Sequence, residues 1–347
     1  MGVKSRKKKN LKKFDESNID HLVIPPLLLL QFLNPSYSSF KLSNFNKEYQ
    51  FLQTSDWMNI DDLLLCACEE GNVEEVEELL NDLDVDPNCQ DEYCWTPLHH
   101  ACEKGQIEVV KLLLNDSRVD VNIVENTRAT PFFIACSNEE IEIVKLLLND
   151  QRIDVNKGDS IGWTPLFNAC QNGRIEIVKL LLNEKKTEVN KGDHSRRSPF
   201  FIACDRGQTE VVKLLLNDKR VNVNKEKDDY VTPFYAACSR GDIEVVKVLL
   251  NDGRIDINKP NIYGETPLWI ASQRGHIEIV KLILVYGKEI RLTGKGFHRK
   301  TAIEIAKEVG RMDIAELLES FNKNPMNTKE ELRKELGLSG NFFLKKK

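Results

Sequence analysis

A proline preceded by Thr or Ser returns every 34 residues: Thr96-Pro97, Thr130-Pro131, Thr164-Pro165, Ser198-Pro199, Thr232-Pro233 and Thr266-Pro267. A fixed interval in the low thirties means that one small supersecondary unit is stacked on copies of itself. Each copy then packs only on its neighbours, and the array forms one elongated body. The best-preserved unit, Thr96 to Asn122, reads TPLHHACEKGQIEVVKLLLNDSRVDVN. Its threonine caps a helix start through the side-chain oxygen. Proline follows at the first helical position, where its missing N–H costs nothing. Gly105 ends this short helix in a left-handed conformation. The apolar run from Ile107 to Leu114 makes a second helix, with Val110, Leu113 and Leu114 expected to face inward. Neither helix is long enough to stand alone in water, so stacking must supply the contacts that hold it. The unit closes on a strand-like tip, Asp120-Val121-Asn122. The frame extends back to Asp62 and, with one inserted residue, forward to Thr301, which makes eight units.

The family pattern of Thr-Pro-Leu-His, Ala-Ala, Gly, a Val-Val-x-Leu-Leu helix and a Val-Asn tip is nearly complete from Thr96 to Asn122. The chain therefore resembles the ankyrin-repeat family. The resemblance implies an all-α repeat solenoid of helix-turn-helix repeats with hairpin tips over 61–320. It leaves a basic tail and N-terminal extension over 1–60, and a short C-terminal helix and basic tail over 321–347. A repeat scaffold carries sites rather than chemistry. The expected function is accordingly a scaffold or adaptor that binds a protein segment on the concave surface, with no catalysis and no cofactor.

In this family partners dock on the tips and on the inner face of the first helices. Mapped through the frame, the tips supply Tyr93, Trp95, Arg128, Trp163, Arg197, Asp229 and Tyr263, and the helix ends supply Lys104, Arg206, Arg240 and Arg274. Trp, Tyr and Arg are the residue types that anchor interfaces. Arg206, Arg240 and Arg274 are expected to form a stripe with Arg197 nearby, and arginine forks suit a partner with an acidic or phosphorylated segment. A second reading stays open: a nucleic-acid-associated or nuclear regulatory protein that uses its basic patches on phosphates. Against it stand the net charge of -5 and a first repeat with thirteen acidic residues and no Lys or Arg between Asp61 and Glu92. That acidic repeat reads either as a solvated end cap or as a docking surface for a basic partner. Glu74, Glu75, Glu77 and Glu78 are expected to face water.

Five of the nine cysteines, Cys102, Cys136, Cys170, Cys204 and Cys238, recur in the same register. The resemblance puts about 10 Å between neighbouring repeats, too far for a disulfide, which needs Cα atoms within about 7 Å. Buried free cysteine acts as a small hydrophobe. An intracellular, reducing compartment follows, cytoplasmic or nuclear. Neither Cys66-x-Cys68 nor Cys89-x4-Cys94 has zinc spacing. The basic run from Lys4 to Lys13 reads as a solubilising tail or as an import or anionic-surface patch. The apolar run Leu22 to Leu33 is too short to span a bilayer and is broken by Pro25-Pro26, so no membrane insertion is expected. It reads as packing on the first repeat or as a partner contact. Thr328 with Glu331 reads as the capping box of a C-terminal helix. The isolated chain is expected to be monomeric.

Two positions break the pattern. Glu139 stands where the other repeats have glycine, and a left-handed backbone there costs roughly 1 kcal/mol. Phe133, Phe167, Phe201, Tyr235 and Trp269 replace the family histidine kept at His99. Their register points into the inter-repeat core, which predicts packing rather than recognition.

Overall fold

The structure, a computed structural model, describes residues 59–338 apart from 288, 293–295 and 297–298. The basic tail, the apolar run Leu22 to Leu33 and the final Phe342 to Lys347 lie outside the described residues. Among the described residues there are 17 α-helices, and none of the residues is in a strand. They begin with α1 (Ile60–Glu70), α2 (Val73–Leu80), α3 (Pro97–Glu103), α4 (Ile107–Asn115), α5 (Pro131–Asn138) and α6 (Ile141–Asn149). Then come α7 (Pro165–Asn172), α8 (Ile175–Asn183), α9 (Pro199–Asp205), α10 (Thr209–Asn217), α11 (Pro233–Arg240) and α12 (Ile243–Leu250). The last are α13 (Pro267–Arg274), α14 (Ile277–Tyr286), α15 (Ala302–Glu308), α16 (Met312–Lys323) and α17 (Pro325–Glu335). The first sixteen form eight antiparallel pairs. First helices pack on first helices, and second helices on second helices, along the whole stack. The first helices are in closer mutual contact. That closer spacing bends the stack toward their side, which makes it the concave one.

The local signals act as the sequence predicts. Each of the six recurring prolines is the first residue of its helix. The hydroxyl before it accepts an otherwise orphaned N–H, as Thr130 does from Phe133 at 3.1 Å and Ser198 from Phe201 at 3.1 Å. The five-cysteine ladder and the aromatic row from Phe133 to Trp269 are buried. Burial pushes the ladder thiols well above their ordinary range, so they are neutral packing atoms. Glu139 is left-handed, with φ 64° and ψ 32°.

Four expectations need correction. The Asp-Val-Asn tips are turns, because their hydrogen bonds run to the neighbouring repeat through side chains rather than along a strand ladder. The Nδ2 of Asn88, Asn122, Asn156, Asn190 and Asn224 donates to a carbonyl one repeat on, at 2.7–2.8 Å. The Oδ1 of the same residues accepts an N–H of that repeat at 2.7–2.9 Å. Leu114 is only half-buried, and Val109 takes the inward position beside Val110 and Leu113. Glu75 is buried rather than solvent-facing. It holds the position of Val109 one repeat later, and Asn72, the cap of α2, draws its carboxylate inward with a 2.7 Å bond. Finally, α17 starts at Pro325, not at Thr328. Asn324 accepts from Asn327 N at 3.2 Å with proline next to it, which makes the stronger start. Thr328 is buried inside the helix, and Glu331 bonds Asn327 Nδ2 at 2.9 Å.

Candidate protein-binding face

The tips between successive repeats are built by one rule. A side-chain oxygen at the first turn position accepts two backbone N–H groups, two and four residues on. Asp91 accepts from Tyr93 and Trp95 at 2.9 and 2.8 Å, Asp159 from Ile161 and Trp163 at 3.0 and 2.8 Å. Asp193 and Asn261 do the same in their tips, and Glu125 accepts the two N–H groups on its two carboxylate oxygens. Each tip is also tied to the next by one backbone bond, such as Ser160 N to Thr127 O at 2.7 Å and Ile262 N to Asp229 O at 2.9 Å. The tips thus form a continuous rail whose turn geometry does not depend on the side chains it displays.

Two tips lack the acceptor. The last has Gly296 in this position, and the fifth has Lys227, which cannot accept a bond. The chain there makes a 3₁₀ turn, Asp228–Tyr230, with Asp229 at φ 67° and Tyr230 at φ 56°. A left-handed tyrosine is strained, and this one stands out into water. It joins a set of large exposed side chains on the rail: Tyr93 at 60%, Tyr230 at 54%, Ile161 at 48%, Ile262 at 47% and Tyr263 at 46%. Beneath them the aromatic row is buried, and Tyr235 donates its hydroxyl to Glu265 at 3.0 Å. Burial, with Glu265 beside it, pushes that phenol far above its ordinary range.

The structure sorts the sequence-derived positions into displayed and engaged ones. Tyr93 and Arg128 are displayed; Tyr263 and Asp229 are also exposed, but the Asp229 carboxylate lies 3.7 Å from Lys227 Nζ. Arg128 is out of register with the others. It holds the left-handed turn position, φ 67°, equivalent to Cys94, Gly162, Arg196, Tyr230 and Gly264. Trp95 and Trp163 are half-buried supports. Trp95 leans on His100 with ring centroids 5.3 Å apart, and Trp163 stacks on Phe167 at 5.4 Å. Arg197 is held by Asp193 at 2.6 Å and lies 5.6 Å over the Phe167 ring. Lys104 sits between Glu69 at 3.2 Å and Glu103 at 3.4 Å. The expected stripe of free arginine forks is therefore broken. Arg240 is bonded through two nitrogens to Asp205, each at 3.2 Å, whereas Arg206 and Arg274 are exposed and make no ion pair among the described residues. Tyr230 and Ile262 were not singled out from sequence. The substitution of Lys227 for an acceptor is the signal that marks Tyr230.

The family model described as Ankyrin repeats (3 copies) matches in overlapping blocks, 45–125, 63–159, 117–193, 153–227, 200–294 and 235–329. The chain belongs to the ankyrin-repeat family. No curated protein matches it. Ankyrin repeats generally mediate protein–protein interaction, and the family is typically non-enzymatic. Among the described residues no group of His, Cys, Asp and Glu could hold a metal ion, and no helix is long and apolar enough to cross a membrane. Within this ankyrin stack, the candidate face is the concave side, made of the tip rail and the exposed ends of the first helices.

Proposed function

We propose that the chain is an interaction scaffold that holds a protein segment along this face, with its strongest contacts on the tips of the fifth to seventh units. The observation that carries the reading is the exposure of Tyr230, Ile262 and Tyr263 on two tips joined by a backbone bond. Tyrosine supplies large, rigid contact area with few torsions to freeze. Arg206 and Arg274 lie on the same side, make no ion pair among the described residues, and add charge selection for an acidic segment. The ladder of neutral, unpaired thiols supports a place in a reducing compartment, cytoplasmic or nuclear.

The test compares partner retention from cell extract by the wild-type chain, by Tyr230→Ser with Tyr263→Ser, and by a back-face control, Lys145→Ala with Lys179→Ala. The tip variant should lose its specific partner while the control keeps it, with helicity and melting unchanged in both. Loss only in the back-face control would reject the site.

A further inference from the structure

The edge of the concave face where the first helices end follows a cross-repeat charge rule. A base in one repeat bonds an acid 35 residues earlier: Arg174 to Glu139, and Arg240 to Asp205. Lys104 bonds Glu69 in the same way. The rule fails once at Arg206, whose counterpart is Gln171, and twice at one other place. The residue equivalent to Asp205 for Arg274 is Ser239. With the inserted residue counted, the residue equivalent to Glu139 for Arg311 is Gly275. Arg311 lies directly on that glycine: a Cβ built on Gly275 would stand 2.5 Å from its Nε and 2.8 Å from its Cζ. Arg274 is the residue immediately before Gly275. Arg274 and Arg311 are both exposed, Arg311 lies against the residue that follows Arg274, and neither makes an ion pair among the described residues. Asp313, two residues beyond Arg311, makes no ion pair with it. Glu308 and Glu319 are already bonded to Lys300 and Lys307. His276, the next residue on the edge, faces Ser239 O at 3.3 Å and adds no negative charge.

We propose that Arg274 and Arg311 form a site for a phosphorylated serine or threonine of the bound protein segment. One carboxylate satisfies one fork, whereas a phosphate brings a charge near -2 and three acceptor oxygens and can accept from both. Phosphate recognition by paired arginines is a recurring peptide-binding mode. Three bases on this edge are neutralised by the fold itself; Arg206 stands bare on its own, and here the acids of two bases are left out together. The inference rests on the docking face proposed above and gives it a regulatory input: phosphorylation of the partner would strengthen its hold on the last repeats.

The probe is a fluorescent peptide with a central phosphoserine between degenerate positions, alongside its serine and glutamate versions. Anisotropy with the full chain should show the phosphopeptide binding at least about tenfold more tightly than either. That preference should vanish in Arg274→Ala with Arg311→Ala. It should also vanish in Ser239→Asp, which keeps both arginines and gives Arg274 an acid of its own. The tip variant Tyr230→Ser with Tyr263→Ser should weaken all three peptides and keep the preference. Equal binding of all three wild-type probes, or a preference surviving both site variants, would overturn the proposal. So would a single-stranded oligonucleotide displacing the phosphopeptide from this edge. Tip variants that bind every peptide as well as wild type, with the preference intact, would instead reject the docking face and leave the phosphate site standing.

Discussion

The back of the stack and the tip rail share a 34-residue period and differ in what their side chains do. On the back almost every polar group is consumed between neighbours. Arg118, Arg152, Arg220 and Arg254 grip the Asp two residues earlier and donate to the last carbonyls of the preceding second helix, at 2.6–2.9 Å. The guanidinium beside each of these carboxylates holds it below its ordinary range. Glu108–Lys111 and its counterparts in the next five second helices pair three residues apart. On the rail the backbone and the turn acceptors do most of the bonding, and large side chains such as Tyr93, Tyr230 and Ile262 stand out into water. Repetition of a residue type in a repeat protein thus marks structural employment. Variation at a fixed geometry marks a surface open to recognition.

The largest test of that contrast sets two rings against each other. Phe167→Ala removes a fully buried side chain and should cost about 3–5 kcal/mol in urea unfolding. Tyr93→Ala, one exposed ring on the rail, should change stability by less than about 0.5 kcal/mol. A rail ring that cost as much as a core ring would erase the distinction.

The next test uses pH, at the point where the core meets the rail. His99 faces Thr96 and the carbonyl of Ala129 in the next tip, with Trp95 beside it. Burial pulls its imidazole down from the usual 6.5 to about 4, against smaller opposing effects of the Ala129 carbonyl and Glu125. The folded state therefore keeps the neutral ring while the unfolded chain takes up a proton. The stabilisation is complete above pH 6.5 and is lost as pH falls toward 4, by up to about 3 kcal/mol. Unfolding free energy measured from pH 7 to 4.5 should decline less steeply in His99→Phe, the residue that the next three repeats carry. Identical slopes would remove His99 from the account.

How far the sequence speaks depends on whether an interaction lies within one repeat or between two. Thr96, Pro97 and Gly105 act through local backbone geometry, so the helix starts and stops are legible from one unit. The burial of Phe133 to Trp269 follows from register alone. The pairing of Arg240 with Asp205 is different, because a 34-residue frame compares equivalent positions, whereas the bond joins positions one step off the frame. Arg311 escaped notice because the inserted residue before Thr301 shifts its unit. Glu75 was misplaced because helical period assigns a face, while Asn72 decides where the carboxylate goes. The exposed tips were identifiable as variable, yet only the missing acceptor at Lys227 shows why Tyr230 stands out.

A smaller effect probes the Asn ladder. Asn156→Ala deletes the 2.8 Å bond to Lys186 O and the 2.8 Å bond from Glu188 N. Water reaches this exposed edge, so the loss should be about 1–2 kcal/mol. The variant should also open hydrogen exchange at the junction of the third and fourth repeats first. That junction already has Lys186 where others have the arginine clamp, and Lys186 reaches only Ile153 O, at 3.1 Å. Uniform loosening along the whole stack would contradict a ladder of local staples.

The smallest effect sits at Glu139, where the two regimes meet. In six repeats the side chain that follows the next turn leans over a glycine: Gln208 would lie 2.5 Å from a Cβ on Gly173, and His276 2.6 Å from one on Gly241. Glu139 has a real Cβ in that place, and the residue opposite is Arg174, turned into an ion pair with it. The pair is half-exposed, so it contributes at most about 1 kcal/mol, similar to the left-handed strain it accompanies. Glu139→Ala keeps the strain and loses the pair. Glu139→Gly loses both, though glycine adds unfolded-state entropy. We expect the alanine variant to be the less stable of the two, by about 0.5–1 kcal/mol, with the glycine variant near wild type. If alanine equalled glycine, the left-handed turn would carry no strain, and Arg174 alone would account for the glutamate.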